Sequence, residues 1–568
     1  MALVSETDPW WKSAVVYQIY PRSFADSDGD GVGDLRGAIG KLDYLKGLGV
    51  DVVWLSPVYR SPMDDNGYDI ADYRDVDPLF GTLDDLDELI AGLHARGMKL
   101  VMDLVVNHTS DEHAWFQESR DPSSVKRDWY FWRPAREGFE PGAQGAEPTN
   151  WASFFGGPAW TYDEASGEYF LHLFSPKQPD LNWENPEVRA AVYDMMRWWV
   201  DRGVDGFRMD VINLISKPIP LTDGAVAPGQ PLSYDVSQVA NGPRMIEFLE
   251  EMNREVGIGE RRLFTVGEMI AVDVDRAREY TSQHHDRLGM VFTFEHVTLD
   301  QEPGGMKWDL KPLSLPDLKR TMARWQKGLG TEGWNSLYFE NHDQPRVVSR
   351  YGDDSPEHRV ASAKTLATVL HLHRGTPYVY EGQELGMINA GFTTAGDYRD
   401  IESRNFYTIA TGQGVPAERA LAALAAKSRD NARTPMPWTP EGGFTTGTPW
   451  LPYNAAAPEI NVEAELADED SVYHHYRRLI ALRHELEVVR EGRFELLLPD
   501  DERIWAFTRT LRDEQLMVIA NMTSQVAGVP MGSIPSLERA ELVLTSLPAA
   551  ADDVQTLEPW ESRVYRIR

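Results

Sequence analysis

The chain has 568 residues, with 56 basic against 89 acidic side chains and a formal net charge of −33. A field of that sign repels phosphate backbones, so nucleic acid is excluded as a partner. There is no cysteine, which excludes a disulfide scaffold and a thiolate metal site.

A hydrophobic share of 42% can bury a large core. Length alone suggests about three or four domains, and a barrel of ~250 residues or more with insertions fits equally. Residues 1–13 (MALVSETDPWWKS) lack the basic start and apolar core of a secretory signal. No apolar run approaches the ~18 residues of a membrane helix. The expectation is a cytoplasmic protein with no membrane partner, monomeric or homodimeric.

Taken in chain order, residues 15–20 read as a first strand. Residues 26–34 place Asp26, Asp28, Asp30, Val32 and Asp34 at alternating positions with glycines between. Hard oxygen ligands on a tight loop suit a structural Ca²⁺. An EF-hand is excluded, because its twelfth position is Gly37. Strands are expected at 52–55 and 100–105. Residues 108–176 are rich in Trp, Phe, Gly and Asp and lack helical period, so they read as an inserted subdomain. A helix is expected over 186–202, with Asn185 as N-cap, Pro186 in the first turn and Gly203 as the stop. Further strands follow at 206–209, 263–266, 337–339 and 377–380. Strands alternating with helices imply a parallel sheet, and seven or eight such units imply a closed barrel. From about residue 486, short alternating runs separated by Pro and Gly turns read as an antiparallel β-domain. The fold class is therefore α/β, a (β/α)₈ TIM barrel over 1–107 and 177–485, with an inserted loop-rich domain over 108–176 after strand 3. The C-terminal β-domain covers 486–568.

Four of the expected strands end in acids or histidine. Asp103 ends one, and Gly206-Phe207-Arg208-Met209-Asp210 ends the next. Glu268 follows a third, and His342-Asp343 a fourth. Alternation along a strand puts Arg208 and Asp210 on one face. Charges at a barrel mouth are costly unless used or paired, and barrel active sites lie at the strand C-terminal ends.

These segments resemble the characteristic regions of the α-amylase superfamily of glycoside hydrolases. The likeness is greatest to its oligo-1,6-glucosidase, dextran glucosidase and α-glucosidase branch. It extends through residues 26–37 (DSDGDGVGDLRG), 53–63 (VWLSPVYRSPM), 65–68 (DNGY), 178–185 (QPDLNWEN) and 429–438 (RDNARTPMPW). The resemblance implies that Asp210 is the nucleophile, Glu268 the acid/base, and Asp343 the third carboxylate, holding sugar hydroxyls. It further implies that Tyr68 stacks under the terminal glucose, with His108 and His342 donating to hydroxyls and Arg208 orienting Asp210. Asp65 would pair with Arg433, or with Arg429, at the 4-hydroxyl. Phe174, Gln178 and Val211 complete the substrate-binding set. Val211 implies α-1,6 preference, because a branched side chain crowds a leaving ring held close. The family also carries Ca²⁺ at the loop that includes residues 26–34, and no catalytic metal or organic cofactor. The expected activity is a retaining exo-α-glucosidase acting on short oligosaccharides. Alternatives within the superfamily are an α-1,4-preferring α-glucosidase or transglucosidase, a trehalose-6-phosphate hydrolase and a sucrose isomerase. Residues 297–301 (VTLDQ) lack the arginines of the isomerases.

Overall fold

The computed structural model describes residues 9–547 and 555–568. Residues 1–8, most of the stretch read for a leader, lie outside the described residues, as do 548–554 of the expected C-terminal unit.

Eight parallel strands form the central sheet. They are β1 (Val16–Ile19), β2 (Val52–Leu55), β3 (Lys99–Val105), β4 (Gly206–Asp210), β5 (Phe264–Glu268), β6 (Met290–Phe292), β7 (Ser336–Leu337) and β8 (Thr376–Tyr380). They pair in sequence order from β1 to β6, while β1 also pairs with β8 and β8 with β7. A single parallel bridge, Val291 to Asn335, joins β6 to β7 and closes the ring. The barrel expected from sequence is therefore present. Strand β6 escaped the sequence reading because it is three residues long and lies among turns. The seventh strand is shorter than read, and Phe339 is already beyond it.

Alternation sorts the side chains. Val16, Val52, Trp54, Val101, Phe264, Val266, Met290 and Phe292 share one buried cluster inside the barrel. Their neighbours Tyr17, Ile19, Val53, Leu55, Leu100, Met102, Phe207 and Met209 pack in the larger cluster under the helices. The inward parity therefore runs 206, 208, 210 on β4 and 264, 266, 268 on β5. It carries Arg208, Asp210 and Glu268 to the top of the interior.

The helix Pro186–Arg202 has the limits read from sequence. The Asn185 side chain accepts from Glu187 N, and Gly203 ends it at φ 117°. Val188, Val192, Met195, Met196 and Trp199 form its buried stripe. Between β3 and β4 the chain forms a three-stranded antiparallel sheet of Trp132–Arg133, Trp160–Asp163 and Glu168–Leu171. The polypeptide returns from it through Asp180, whose carboxylate meets Lys217 Nζ at 2.8 Å with both side chains fully buried. At the C-terminus, strands Arg493–Leu497, Ile504–Leu511, Glu514–Asn521, Glu541–Thr545 and Ser562–Ile567 form an antiparallel sheet. Lys319, on a barrel helix, docks it by donating to the carbonyls of Leu498, Asp501 and Ile504 at 2.6, 2.6 and 2.8 Å. Among the described residues, no helix is long and apolar enough to cross a membrane.

Candidate active site

A cavity of about 560 Å³ opens at the C-terminal ends of the strands. Its lining includes Asp65, Tyr68, His108, Phe174, Gln178, Asp210, Val211, Glu268, Asp343 and Arg429. Of the other residues singled out from sequence, Arg208 lies immediately beneath this group and His342 and Arg433 behind it.

Arg208 is the hub. Its Nη1 lies 2.6 Å from both Asp103 and Asp210, and its Nη2 lies 2.6 Å from Glu268. Trp54 Nε1 donates to Asp103 at 2.8 Å, and the guanidinium lies over the Trp54 ring. Three carboxylates share one cation in a dry interior, so their proton affinities rise. Burial pushes Asp210 up to about 6 despite the pull of Arg208. Burial pushes Glu268 further, to about 8, with Arg208 opposing and Asp210 and Asp343 adding to the rise. At neutral pH one carboxyl of the pair is ionised and the other holds a proton. This is the division of labour required of a nucleophile and a general acid.

Val211 follows Asp210 with φ 36° and ψ 39°. A β-branched residue in the left-handed region is strained and persists where its surroundings hold it. The turn aims Val211 N at Glu268 Oε2, 3.3 Å away, and places the Val211 side chain on the cavity wall.

The closed end of the cavity is an ion-pair lattice. Arg429 Nη2 meets Asp65 at 3.0 Å and Asp400 at 2.5 Å, and its Nη1 meets Asp343 at 3.3 Å. Arg433 Nη2 meets Asp343 at 2.8 Å, and Arg433 Nε donates to the His342 carbonyl at 2.9 Å. Of the two pairings open from the sequence, Asp65 forms its ion pair with Arg429, and Arg433 pairs with Asp343 instead. Ser428 caps a one-turn 3-10 helix that Arg429 begins, which brings that guanidinium to the cavity. Arg433 lies beyond the turn, buried over the Tyr20 ring. Burial opposes the charge of Asp343, but the Arg429 and Arg433 guanidinium groups outweigh it and hold the carboxyl well below its ordinary range. Asp400, not singled out from sequence, is fully buried and also caps the helix Ile401–Gly412 by accepting from Ser403 N at 2.9 Å.

Tyr68 lies flat on His342, with ring centroids 5.2 Å apart and planes 6° from parallel. Burial pushes His342 down to about 3 and His108 to about 4, so both rings are neutral. Asn107 Nδ2 faces His108 Nδ1 at 3.3 Å, and His108 Nε2 lies 3.1 Å from the Tyr68 carbonyl, which places the proton on Nε2. Gln178 Nε2 reaches Asp65 at 3.2 Å. Phe174 packs on His108 with centroids 5.2 Å apart.

The open end is different. Trp308 and Phe406 stack with centroids 4.3 Å apart and planes 15° from parallel. Tyr234, Met306 and Ile409 complete an apolar rim. None was named from sequence, since the segments carrying them meet only in the fold.

The chain matches the family model described as "Alpha amylase, catalytic domain" over residues 18–492. This protein is a glycoside hydrolase of the α-amylase family. The family named from the sequence motifs is thereby established, and so is the enzyme class. The protein is 53% identical over 562 residues to an oligo-1,6-glucosidase of Halalkalibacterium halodurans, covering 98% of both chains. A trehalose-6-phosphate hydrolase of Bacillus licheniformis superposes with a TM-score of 0.92 at 45% identity, covering 98% of this chain and all of the other. An isomaltulose synthase of Erwinia rhapontici superposes with a TM-score of 0.93 at 39% identity, covering 99% and 100%. The reactions named for these three relatives differ.

Away from the cavity, one carboxylate oxygen each from Asp26, Asp28 and Asp34 lies within 4.8 Å of the others. Asp30 stands outside this group, accepting from Val32 N at 2.7 Å. Gly31 is required here, because a Cβ would lie 1.9 Å from the Thr448 carbonyl oxygen. Three carboxylates on one tight loop, without an ion pair among the described residues, form a donor set that fits Ca²⁺.

Proposed function

We propose that this glycoside hydrolase is a retaining exo-α-glucosidase that removes single glucose units from short α-1,6-linked gluco-oligosaccharides. The observation that carries the reading is the closed end, where Arg429 ties Asp65, Asp343 and Asp400 together. A wall of interlocked charges accepts the hydroxyl edge of a terminal sugar and stops a polymer from threading through.

Asp210 attacks C1 of the bound glucose while Glu268 gives its proton to the leaving oxygen. The glucosyl ester of Asp210 is then opened by water, whose proton passes to the Glu268 carboxylate. One guanidinium touching both carboxyls favours the short spacing of a retaining pair, about 5–5.5 Å, over the about 6.5–9.5 Å of an inverting one. Asp343, held ionised, accepts from sugar hydroxyls, and Tyr68 lies under the ring.

Two further observations favour a neutral α-1,6-linked substrate. The cavity's Lys307, Lys427 and Arg429 already face carboxylates, leaving little cationic capacity for a phosphate. Val211 projects where a leaving sugar would lie, and an α-1,6 linkage with its extra rotatable bond swings clear of it. A structural Ca²⁺ held by Asp26, Asp28 and Asp34 belongs to the same reading. Elemental analysis and a fall in Tm on chelation test it, since a ligand bound only by the folded state stabilises it.

The deciding experiment is a product assay on isomaltose, maltose, sucrose, trehalose and trehalose-6-phosphate, with the anomer of the first glucose released read by NMR. α-Glucose from isomaltose is expected. β-Glucose, or trehalose-6-phosphate as the preferred substrate, overturns the proposal.

A further inference from the structure

The wall of the cavity facing the leaving group is built from residues 294–311, a stretch whose regular structure is one 3-10 turn, His296–Thr298. Val297, Thr298 and Gln301 from this stretch line the cavity. The stretch folds back on itself through Glu302 N to the Asp309 carbonyl and the bridge of Gln301 to Leu310, so its distance from the glucose-binding end is set by what anchors it from outside.

Asp300 supplies it. The residue is buried, and four donor contacts converge on its two carboxylate oxygens. Arg350 Nε and Nη2 each donate at 2.8 Å, and Lys427 Nζ lies 2.9 and 3.0 Å from the two oxygens. Arg350 also donates to the Val297 carbonyl and, at 2.8 Å, to Gln344 Oε1. Gln344 follows Asp343 in sequence and lines the cavity. Lys427 ends the helix Ala417–Lys427, two residues before Arg429. One carboxylate thus joins the leaving-group wall to the two stretches carrying Asp343 and Arg429. Buried, it is matched by two cations, so its removal leaves both without their shared partner.

We infer that Asp300 is a positioning residue that sets the distance between the leaving-group wall and the glucose-binding end, and so controls how sugar acceptors compete with water. The inference rests on the exo-glucosidase reading for its glucosyl-enzyme. In the step concerned, an acceptor hydroxyl bonds to C1, the ester bond to Asp210 breaks, and the hydroxyl proton passes to Glu268. Asp300 touches none of these atoms. It holds the wall against which the acceptor rests.

The test uses 4-nitrophenyl α-glucoside as donor and methyl α-glucoside as added acceptor, with nitrophenol, glucose and transfer product quantified separately. Wild type, Asp300→Ala, Asp300→Asn and Asp300→Glu are compared, with Tm measured for each. Asp300→Ala is expected to hydrolyse the donor within about threefold of wild type, while its transfer-to-hydrolysis ratio falls about tenfold and KM for isomaltose rises about tenfold. Asp300→Glu should recover part of the ratio. If Asp300→Ala does not fold, Asp300→Asn, which keeps the size and loses the charge, is read in the same way. An unchanged ratio, or equal losses in transfer and hydrolysis, would overturn the inference, as would a wild type that transfers nothing. A wild type that fails to cleave isomaltose removes the α-1,6 reading, and the transfer ratio still decides on Asp300.

Discussion

The two ends of the cavity are built from opposite materials. At the closed end Asp65, Asp400, Arg429 and Arg433 are buried charges, each held by a partner of opposite sign, and they close around the partly exposed Asp343. At the open end the rim is apolar, and Tyr234, Met306 and Ile409 remain 42%, 43% and 42% exposed. Buried ion pairs tolerate little displacement, because separating them leaves a charge in a dry interior. Apolar faces grip by area and shape and accept several poses. The contrast assigns recognition of one terminal glucose to the closed end and tolerance of varied leaving groups to the open one.

The chemistry at the junction of the two ends gives the largest expected effect. Asp210→Asn should lower kcat by about 10⁴-fold or more on every substrate, since it removes the covalent route. A purified variant keeping a tenth of wild-type kcat sinks the assignment. The pH profile sharpens the same point. Asp210 must be ionised, so kcat/KM rises as pH passes through about 6. Glu268 must be protonated, so it falls as pH passes through about 8. The two groups titrate as a pair, and the limbs report its two steps. A profile without an alkaline limb removes Glu268 as the acid.

Breaking the closed end comes next. Arg429→Met leaves Asp65 and Asp400 buried without their shared cation, which costs about 3–5 kcal/mol of fold stability, and it frees Asp65 and Asp343 from the geometry that grips the terminal glucose. The expected fall in kcat/KM is about 10²–10³-fold, equal for short and long substrates because the terminal glucose is common to all. A loss confined to long substrates would place glucose recognition elsewhere. At the junction wall, Val211→Ala should raise kcat/KM on maltose relative to isomaltose by about ten- to two-hundredfold, the worth of one or two methyl groups in a steric contact. An unchanged ratio means that Val211 only packs.

The contrast between the ends also governs what could be read from sequence. Charged residues at strand ends stand out against their apolar strands, so Asp210, Glu268 and Asp343 were visible, and period 2 alone put Arg208 beside Asp210. Two arginines four positions apart in one motif were visible as well, but not which of them faces the sugar. That depends on the Ser428 cap and the single 3-10 turn it begins. Asp400 was missed because its signal, an N-cap before residues 401–412, reads as ordinary helix punctuation. Trp308 and Phe406 carry no local signal, since nearly a hundred residues separate them and each sits in an unremarkable context. Strand β6 was too short to show its period.

The open end supplies the smallest effect and the most direct challenge to the contrast. Trp308 stacks on Phe406 at the rim, beyond Val211 and the reacting groups, where only the second or a later sugar would reach. Trp308→Ala removes a half-buried indole and leaves Phe406 without its stacking partner, and an aromatic contact of this kind is worth about 0.5–1.5 kcal/mol. KM should therefore rise about two- to tenfold on isomaltotriose, less on isomaltose, and scarcely on 4-nitrophenyl α-glucoside at equal kcat. That gradient with chain length is the signature of an apolar grip outside the glucose pocket. Equal rises on all three substrates would mean that Trp308 supports the closed end through Lys307 and Glu402, which meet at 2.6 Å beside it. The two ends would then be mechanically one, and the division of labour between charge and apolar area would fail.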